Sequence, residues 1–142
     1  MARNTRKHLS IKIHKKCRLL CKLKSSLHIY ITQRIHIMAF KENLVQMPDI
    51  AHLSGLDVCD ETGAVLHHIP AVEGKLGSLK LYNALAEQFN GQLNAVAAQQ
   101  GLDWFAEHVA DAQANRGKHP NIDLLFKVQN ENLTYRLNPI RA

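Results

Sequence analysis

Two short loops rich in glycine and lysine carry the residue types best suited to binding an anion. Residues 74–78 (GKLGS) supply Lys75, Gly77 and Ser78, and residues 116–121 (RGKHPN) supply Lys118 and His119. Each loop leads into a predicted helix, whose first N–H groups and dipole favour negative charge. If the fold brings the loops together, these five residues predict a phosphate or carboxylate site. The alternative is that the glycines and Ser78 serve turn and cap geometry while the lysines are solvated.

A second group of titratable residues, Glu107, His108 and Asp111, lies on one predicted helix. Glu107 and Asp111 are four residues apart, so they share a face that could hold a divalent cation or act as acid and base. The simpler interpretation, which we prefer, is a solvated face opposite an apolar stripe. His67 and His68 are neighbours on a predicted strand, so they point to opposite faces and cannot chelate together.

Cysteine spacing and known motifs predict neither a metal nor a cofactor. His14, Cys17, Cys21 and His28 have the spacing H-x2-C-x3-C-x6-H, which is not typical of structural zinc sites. Cys59 is predicted to be a small buried or half-buried side chain on a strand. The sequence contains no G-x-S-x-G, H-E-x-x-H, C-x-x-C or G-x-G-x-x-G pattern, and the 74–78 loop lacks the order of a Walker A motif. We therefore predict no catalytic residue.

The net charge of +6 is confined to the N-terminal segment. Residues 1–37 contain ten Lys or Arg and no acid, whereas residues 38–142 contain eight basic and twelve acidic side chains, a net charge of −4. All seven glycines and four prolines also follow Met38. A basic arm of this kind could bind nucleic acid through its phosphates. The alternative, which we favour, is that translation begins at Met38; residues 38–142 are predicted to be one domain in either case.

The apolar run at residues 27–40 does not predict a membrane segment. It is interrupted by Gln33, Arg34 and His36, and it is shorter than the roughly 20 apolar residues that cross a bilayer. Because of the same interruptions, the segment lacks the continuous apolar region of a secretory signal. The sequence therefore predicts no membrane contact. Because three cysteines give no disulfide framework, it also predicts a cytoplasmic protein.

Apolar periodicity and turn residues predict the elements of residues 38–142. The strands are a hairpin of residues 55–60 and 64–69 around Gly63, with Leu56 and Val58 facing inward, and a last strand at 133–137 ending before Pro139. The helices start at about Phe40, at a Ser78 cap, and at an Asn94 cap with continuation to about residue 115. The helix after Ser78 is predicted to face the core with an apolar stripe of Leu81, Tyr82, Leu85 and Phe89. Gly101 predicts either a break in that last helix or close packing of another element. Residues 121–129 fit a helix or a strand, and we choose the helix.

These elements predict an α+β fold, in which a small antiparallel sheet, the N-terminal hairpin plus the C-terminal strand, packs against two or three helices. A domain of about 105 residues can bury a core without metal or disulfides.

Three stretches resemble an uncharacterised family of short bacterial proteins. They are GKLGSL at residues 74–79 with YNAL at 82–85, LDWFAEH at 102–108, and GKHPNID at 117–123. The resemblance covers residues 40–138. It implies a bacterial cytoplasmic protein whose relatives begin near Met38, and it implies no activity and no catalytic residue.

The sequence leaves three hypotheses for function. The first is a non-catalytic binding module that self-associates, as a homo-oligomer, or binds a protein partner. The second is an enzyme or sensor that binds a small anionic metabolite at the 74–78 and 116–121 loops. The third is nucleic-acid binding through the basic arm.

Overall fold

Four strands and five helices make up residues 39–142, the part of the chain that the structure, a computed structural model, describes. In chain order they are α1 (Phe40–Val45), β1 (Leu53–Cys59), β2 (Val65–Pro70), α2 (Leu76–Gln88), β3 (Gln92–Leu93), α3 (Ala95–Phe105), α4 (Glu107–Ala114), α5 (Pro120–Asn130) and β4 (Tyr135–Arg141). The predicted α+β class is confirmed. The hypotheses on residues 1–37, including the spacing of Cys17 and Cys21, lie outside the described residues.

The strands form one antiparallel sheet in the order β2-β1-β4-β3. The predicted hairpin is confirmed, and its turn is held by Asp60, whose Oδ1 accepts the N–H groups of Thr62 and Ala64 at 2.8 and 3.0 Å. Gly63 supplies the positive φ of 90° that this turn needs. The C-terminal strand joins the sheet of the hairpin, as the sequence predicted, and it does so by pairing with β1.

Strand β4 differs from its prediction, because it continues through Pro139 to Arg141. Pro139 lies opposite Leu56 of β1, whereas β3 pairs only with residues 135 and 136. At Pro139 the strand therefore has one neighbour in the sheet, and proline is tolerated at such a local edge. Strand β3 was not predicted, since two residues are too short to show a period.

Helix α2 contacts all four strands and carries the centre of the core. Leu81, Tyr82 and Leu85, three residues of its predicted apolar stripe, are fully buried. The predicted cap at Ser78 is wrong. The helix begins at Leu76, with Lys75 as its N-cap, so Ser78 lies within the first turn.

The predicted long helix from Asn94 is two helices, α3 and α4. Its cap is confirmed, because the side-chain oxygen of Asn94 accepts the N–H of Ala97 at 2.9 Å. The break falls at Ala106, which has a positive φ of 47°, and not at Gly101. A Cβ on Gly101 would lie 2.8 Å from Cδ1 of Leu125, so this glycine lets α5 pack against α3. Close packing was the second role predicted for Gly101.

Residues 120–130 are helical, which confirms the choice of helix over strand. Ile122, Leu125 and Val128 are buried at intervals of three residues, which puts them on one face of a helix. Cys59 is buried and free, as predicted. Within residues 39–142, none of the helices has the length and apolar character needed to cross a membrane.

Candidate functional site

The 74–78 and 116–121 loops lie next to each other and line one cavity of about 530 Å³. All five residues predicted for an anion site line it, namely Lys75, Gly77, Ser78, Lys118 and His119. Arg116 of the second loop does not, and instead lines a separate cavity between α4 and α5. The condition set by the sequence, that the fold brings the two loops together, is therefore met.

The wall of this cavity is basic and apolar. Its basic side chains are Lys41, Lys75, Lys118, His108 and His119, and its apolar ones are Phe40, Leu44, Leu76, Phe105, Pro120 and Ile122. Three of the eight Lys and Arg in residues 38–142 are thus gathered here, and none of the twelve acids is among the described lining residues. The cavity has the opposite charge from the domain around it.

The first loop is shaped by close contact between α1 and α2. Gly77 lies in the first turn of α2, where a Cβ would be 3.0 Å from Cζ of Phe40 and 3.3 Å from Cδ1 of Leu44. A side chain at this position would push α1 away, so glycine lets α1 lie directly against α2. Lys75 caps α2 without a side-chain hydrogen bond, and the first N–H groups of a helix have no intrahelical partner.

Phe40 fixes α1 as one wall of the cavity. Its ring stacks on Phe105 with centroids 5.5 Å apart, and it meets the ring of His108 edge to face at 4.8 Å. Its backbone N–H donates to Oε2 of Glu107 at 2.9 Å, and this hydrogen bond lowers the pKa of the Glu107 carboxyl group. Glu107 is therefore engaged in holding the start of α1.

The second loop turns into α5 through Gly117 and Pro120. Gly117 has a positive φ of 89°, and its N–H donates to Oδ2 of Asp123 at 2.8 Å. Pro120 occupies the first helical position, where a missing N–H costs nothing. His119 precedes it as an N-cap without a side-chain hydrogen bond to the helix, so its imidazole is available for other contacts.

Asp111 of α4 binds the side chains of Lys118 and His119 in the second loop. Its Oδ2 accepts Nζ of Lys118 at 2.8 Å and Nε2 of His119 at 2.5 Å, and its Oδ1 accepts Nδ2 of Asn115 at 2.8 Å. Lys118 and then His119 hold the pKa of this carboxyl group well below its usual range. Asp111 is thus an ionised partner placed beside the cavity, although it is not one of the lining residues.

Glu107 and Asp111, the pair considered for a divalent cation, have separate protein partners. Glu107 binds Phe40, and Asp111 binds the second loop. Among residues 39–142, no group of three or more His, Cys, Asp or Glu is arranged to hold a metal ion. His67 and His68 also have separate partners, since Nε2 of His67 donates to Asn121 and Nδ1 of His68 to Asp57. These side chains therefore form no common site.

Asn121 connects the cavity to the core, which the sequence did not reveal. It is 7% exposed, its backbone oxygen accepts the hydroxyl of Tyr82 at 2.6 Å, and its side-chain oxygen accepts Nε2 of His67 at 2.7 Å. Burial raises the pKa of the Tyr82 hydroxyl, so the group stays a neutral donor. The start of α5 is in this way fixed to both α2 and β2.

Lys41 was also missed, because a lysine on a short amphipathic helix gives no sign of which cavity that helix will border. The ion pairs of Asp111 had a weak signal, since Lys118 and His119 follow it by seven and eight residues across a predicted helix end.

Comparison with known proteins identifies the family of the chain but no activity. The matched region, residues 40–139, lies entirely within the described residues 39–142, and the family is described as uncharacterised proteins conserved in bacteria, DUF2322. No curated protein and no solved structure matches the chain. The resemblance inferred from the loops and from the LDWFAEH stretch is thereby confirmed, and the chain belongs to this uncharacterised bacterial family.

Proposed function

We propose that the domain binds a small organic anion in the cavity between the two loops. The observation that carries the proposal is the separation of charge: an acidic domain gathers three lysines and two histidines in one concave site that none of its acids lines. Such a site concentrates anions by its local potential, whatever the net charge of the domain. The apolar part of the wall suits a ligand that also carries a hydrocarbon or aromatic group.

The residues divide the binding between them. Lys75 and the first turn of α2 offer a full charge and backbone N–H groups to one negative group. Lys41 adds a second cation from α1, and Phe40 and Leu76 provide apolar surface. Hydrogen bonds to charged groups contribute about 1.5–3 kcal/mol each, so a few of them give affinities in the micromolar to millimolar range. The proposal requires no chemical step.

Titration of the full-length chain with phenyl phosphate tests the proposal, because this ligand carries both an anionic and an aromatic group. We expect Lys75→Ala to lower the affinity about tenfold, as loss of one charge-assisted contact implies. Lys127→Ala is the matched control, since Lys127 lies on α5 and lines a different cavity. Residues 1–37 are identical in both variants, so their ten basic side chains contribute equally.

Two results of this titration would contradict the proposal. One is the absence of any binding by the unchanged protein at millimolar phenyl phosphate. The other is an equal loss of affinity in Lys75→Ala and Lys127→Ala, which would indicate attraction by net charge alone and not by the cavity.

A second candidate function is self-association through the sheet edge. Strand β2 is an edge strand, and its first two residues, Val65 and Leu66, are 55% and 49% exposed. An exposed apolar edge can pair with a second copy. By light scattering, we expect a dimer that Val65→Lys converts to monomer, while Val96→Lys, a change at an exposed valine on α3, leaves it intact. A monomeric unchanged protein, or equal effects of the two changes, would exclude this candidate.

Two further hypotheses remain predictions. Nucleic-acid binding depends on residues 1–37, which the structure does not describe, and the cytoplasmic location depends on the sequence argument alone.

A further inference from the structure

Lys118 and His119 of the second loop already have an anionic partner within the chain. One carboxylate oxygen of Asp111 binds both Nζ of Lys118 and Nε2 of His119, which are the two basic side chains that this loop contributes to the cavity. The other oxygen is held by Asn115. This is the arrangement that a bound carboxylate ligand would have, except that it is supplied by α4.

We propose that Asp111 is an internal competitor of the ligand, which must displace this carboxylate before Lys118 and His119 can bind it. The inference rests on the proposed anion site and adds its regulation. As long as Asp111 holds Lys118 and His119, the basic groups left to the ligand are Lys75, Lys41, His108 and the N–H groups at the start of α2. Ligand affinity is then set by the balance between an external anion and an internal one.

Displacement is feasible because none of these charges is deeply buried. The side chains of Asp111 and Lys118 are 37% and 59% exposed, so water can solvate the carboxylate once it is released. An exposed ion pair is weak, whereas a buried charge left without its partner would be costly. His119 is 26% exposed and would turn from Asp111 towards the ligand.

Helix α4, which carries Asp111, is short and has little contact with the core. It has eight residues, of which only Ala112 is buried, and it begins after Ala106 at a positive φ of 47°. Because few core contacts hold α4, a small shift of Asp111 need not disturb the sheet or α2.

The test compares phenyl phosphate binding by the unchanged full-length chain and by Asp111→Asn. Asparagine keeps the size of the side chain and removes its charge. We expect the affinity to rise about fivefold, the scale of a lost exposed ion pair. Glu131→Gln removes one negative charge at the exposed end of α5, outside the cavity, and should leave the affinity unchanged. Thermal unfolding of each variant confirms that it is folded.

The side-chain nitrogen resonances of His119 provide an independent readout. In the unchanged protein, ligand should shift the Nε2 resonance as its hydrogen bond to Asp111 is lost. In Asp111→Asn, the resonance should already be displaced before ligand is added.

The possible outcomes separate this inference from the proposed function. If Asp111→Asn binds more weakly, Asp111 positions Lys118 and His119 for the ligand, and the inference is wrong. If Asp111→Asn and Glu131→Gln raise the affinity equally, only net charge matters, and the inference is again wrong. In both cases the anion site stands if Lys75→Ala still weakens binding. If phenyl phosphate binds neither the unchanged protein nor Asp111→Asn, both proposals fail.

Discussion

The two loops of the cavity contain the same residue types and yet differ in their electrostatic surroundings. Lys118 of the second loop forms an ion pair with Asp111, whereas Lys75 of the first loop forms none with any residue in the described part of the chain. The difference comes from the element behind each loop. Helix α4 places a carboxylate behind the second loop, and α1 places the ring of Phe40 behind the first. Similar sequences therefore have different surroundings in a single cavity.

Two glycines, Gly117 of the second loop and Gly77 of the first, are required for different reasons. Gly117 is required by its backbone, since its φ of 89° is unfavourable for other residues, and its missing Cβ would meet no atom within 4 Å. Gly77 is required by a neighbour, because Phe40 occupies the space where a side chain would lie. The need for glycine at position 77 is therefore explained only once the tertiary contacts are known.

The largest expected effect is that of Gly77→Val, which tests the contact behind the first loop. Its methyl groups would overlap Phe40 and force α1 off α2, so we expect the free energy of unfolding to fall by about 2 kcal/mol, as for overpacked cores. Urea denaturation measures this change. In a Phe40→Ala background the same substitution should cost much less, because the obstructing ring is gone. An equal cost in both backgrounds would show that the contact is not the cause.

Features that depend on sequence neighbours were predicted well. The hairpin followed from alternation around Gly63, the α3 cap from Asn94, and the buried stripe of α2 from its spacing. Each of these depends on contacts within a few residues, which propensity and periodicity describe directly. The residues of the two loops were found for the same reason, since glycine and lysine before a helix are a local signal.

Several features set by tertiary packing were not predicted. Nothing in the sequence indicates the break at Ala106, because alanine rarely adopts a positive φ and does so here between two packed helices. The start of α2 at Leu76 was missed because Ser78 is a better cap by residue type than Lys75. The role of α1 in the cavity and the partners of Asp111 depend on which helices meet, and sequence spacing does not give this.

The smallest expected effect concerns stability at acid pH. It compares two carboxylates of α4, namely Glu107, which binds the start of α1, and Asp111, which binds the second loop. The pKa of Glu107 is lowered by the N–H of Phe40, and that of Asp111 by Lys118 and then His119. A carboxyl group with a lowered pKa in the folded state stabilises the fold above its ordinary pKa, here 4.5 and 3.8, and loses this contribution as the pH falls through the folded value.

We therefore expect Glu107→Gln and Asp111→Asn each to reduce the stability measured by urea denaturation at pH 6, and by less at pH 2.5. Both side chains are exposed, so 0.5 M salt should shrink the effect of Asp111→Asn, an ion pair, more than that of Glu107→Gln, a hydrogen bond to backbone. Glu131→Gln controls for loss of charge alone. If Asp111→Asn were equally destabilising at both pH values, its contacts with Lys118 and His119 would contribute through packing and not through charge.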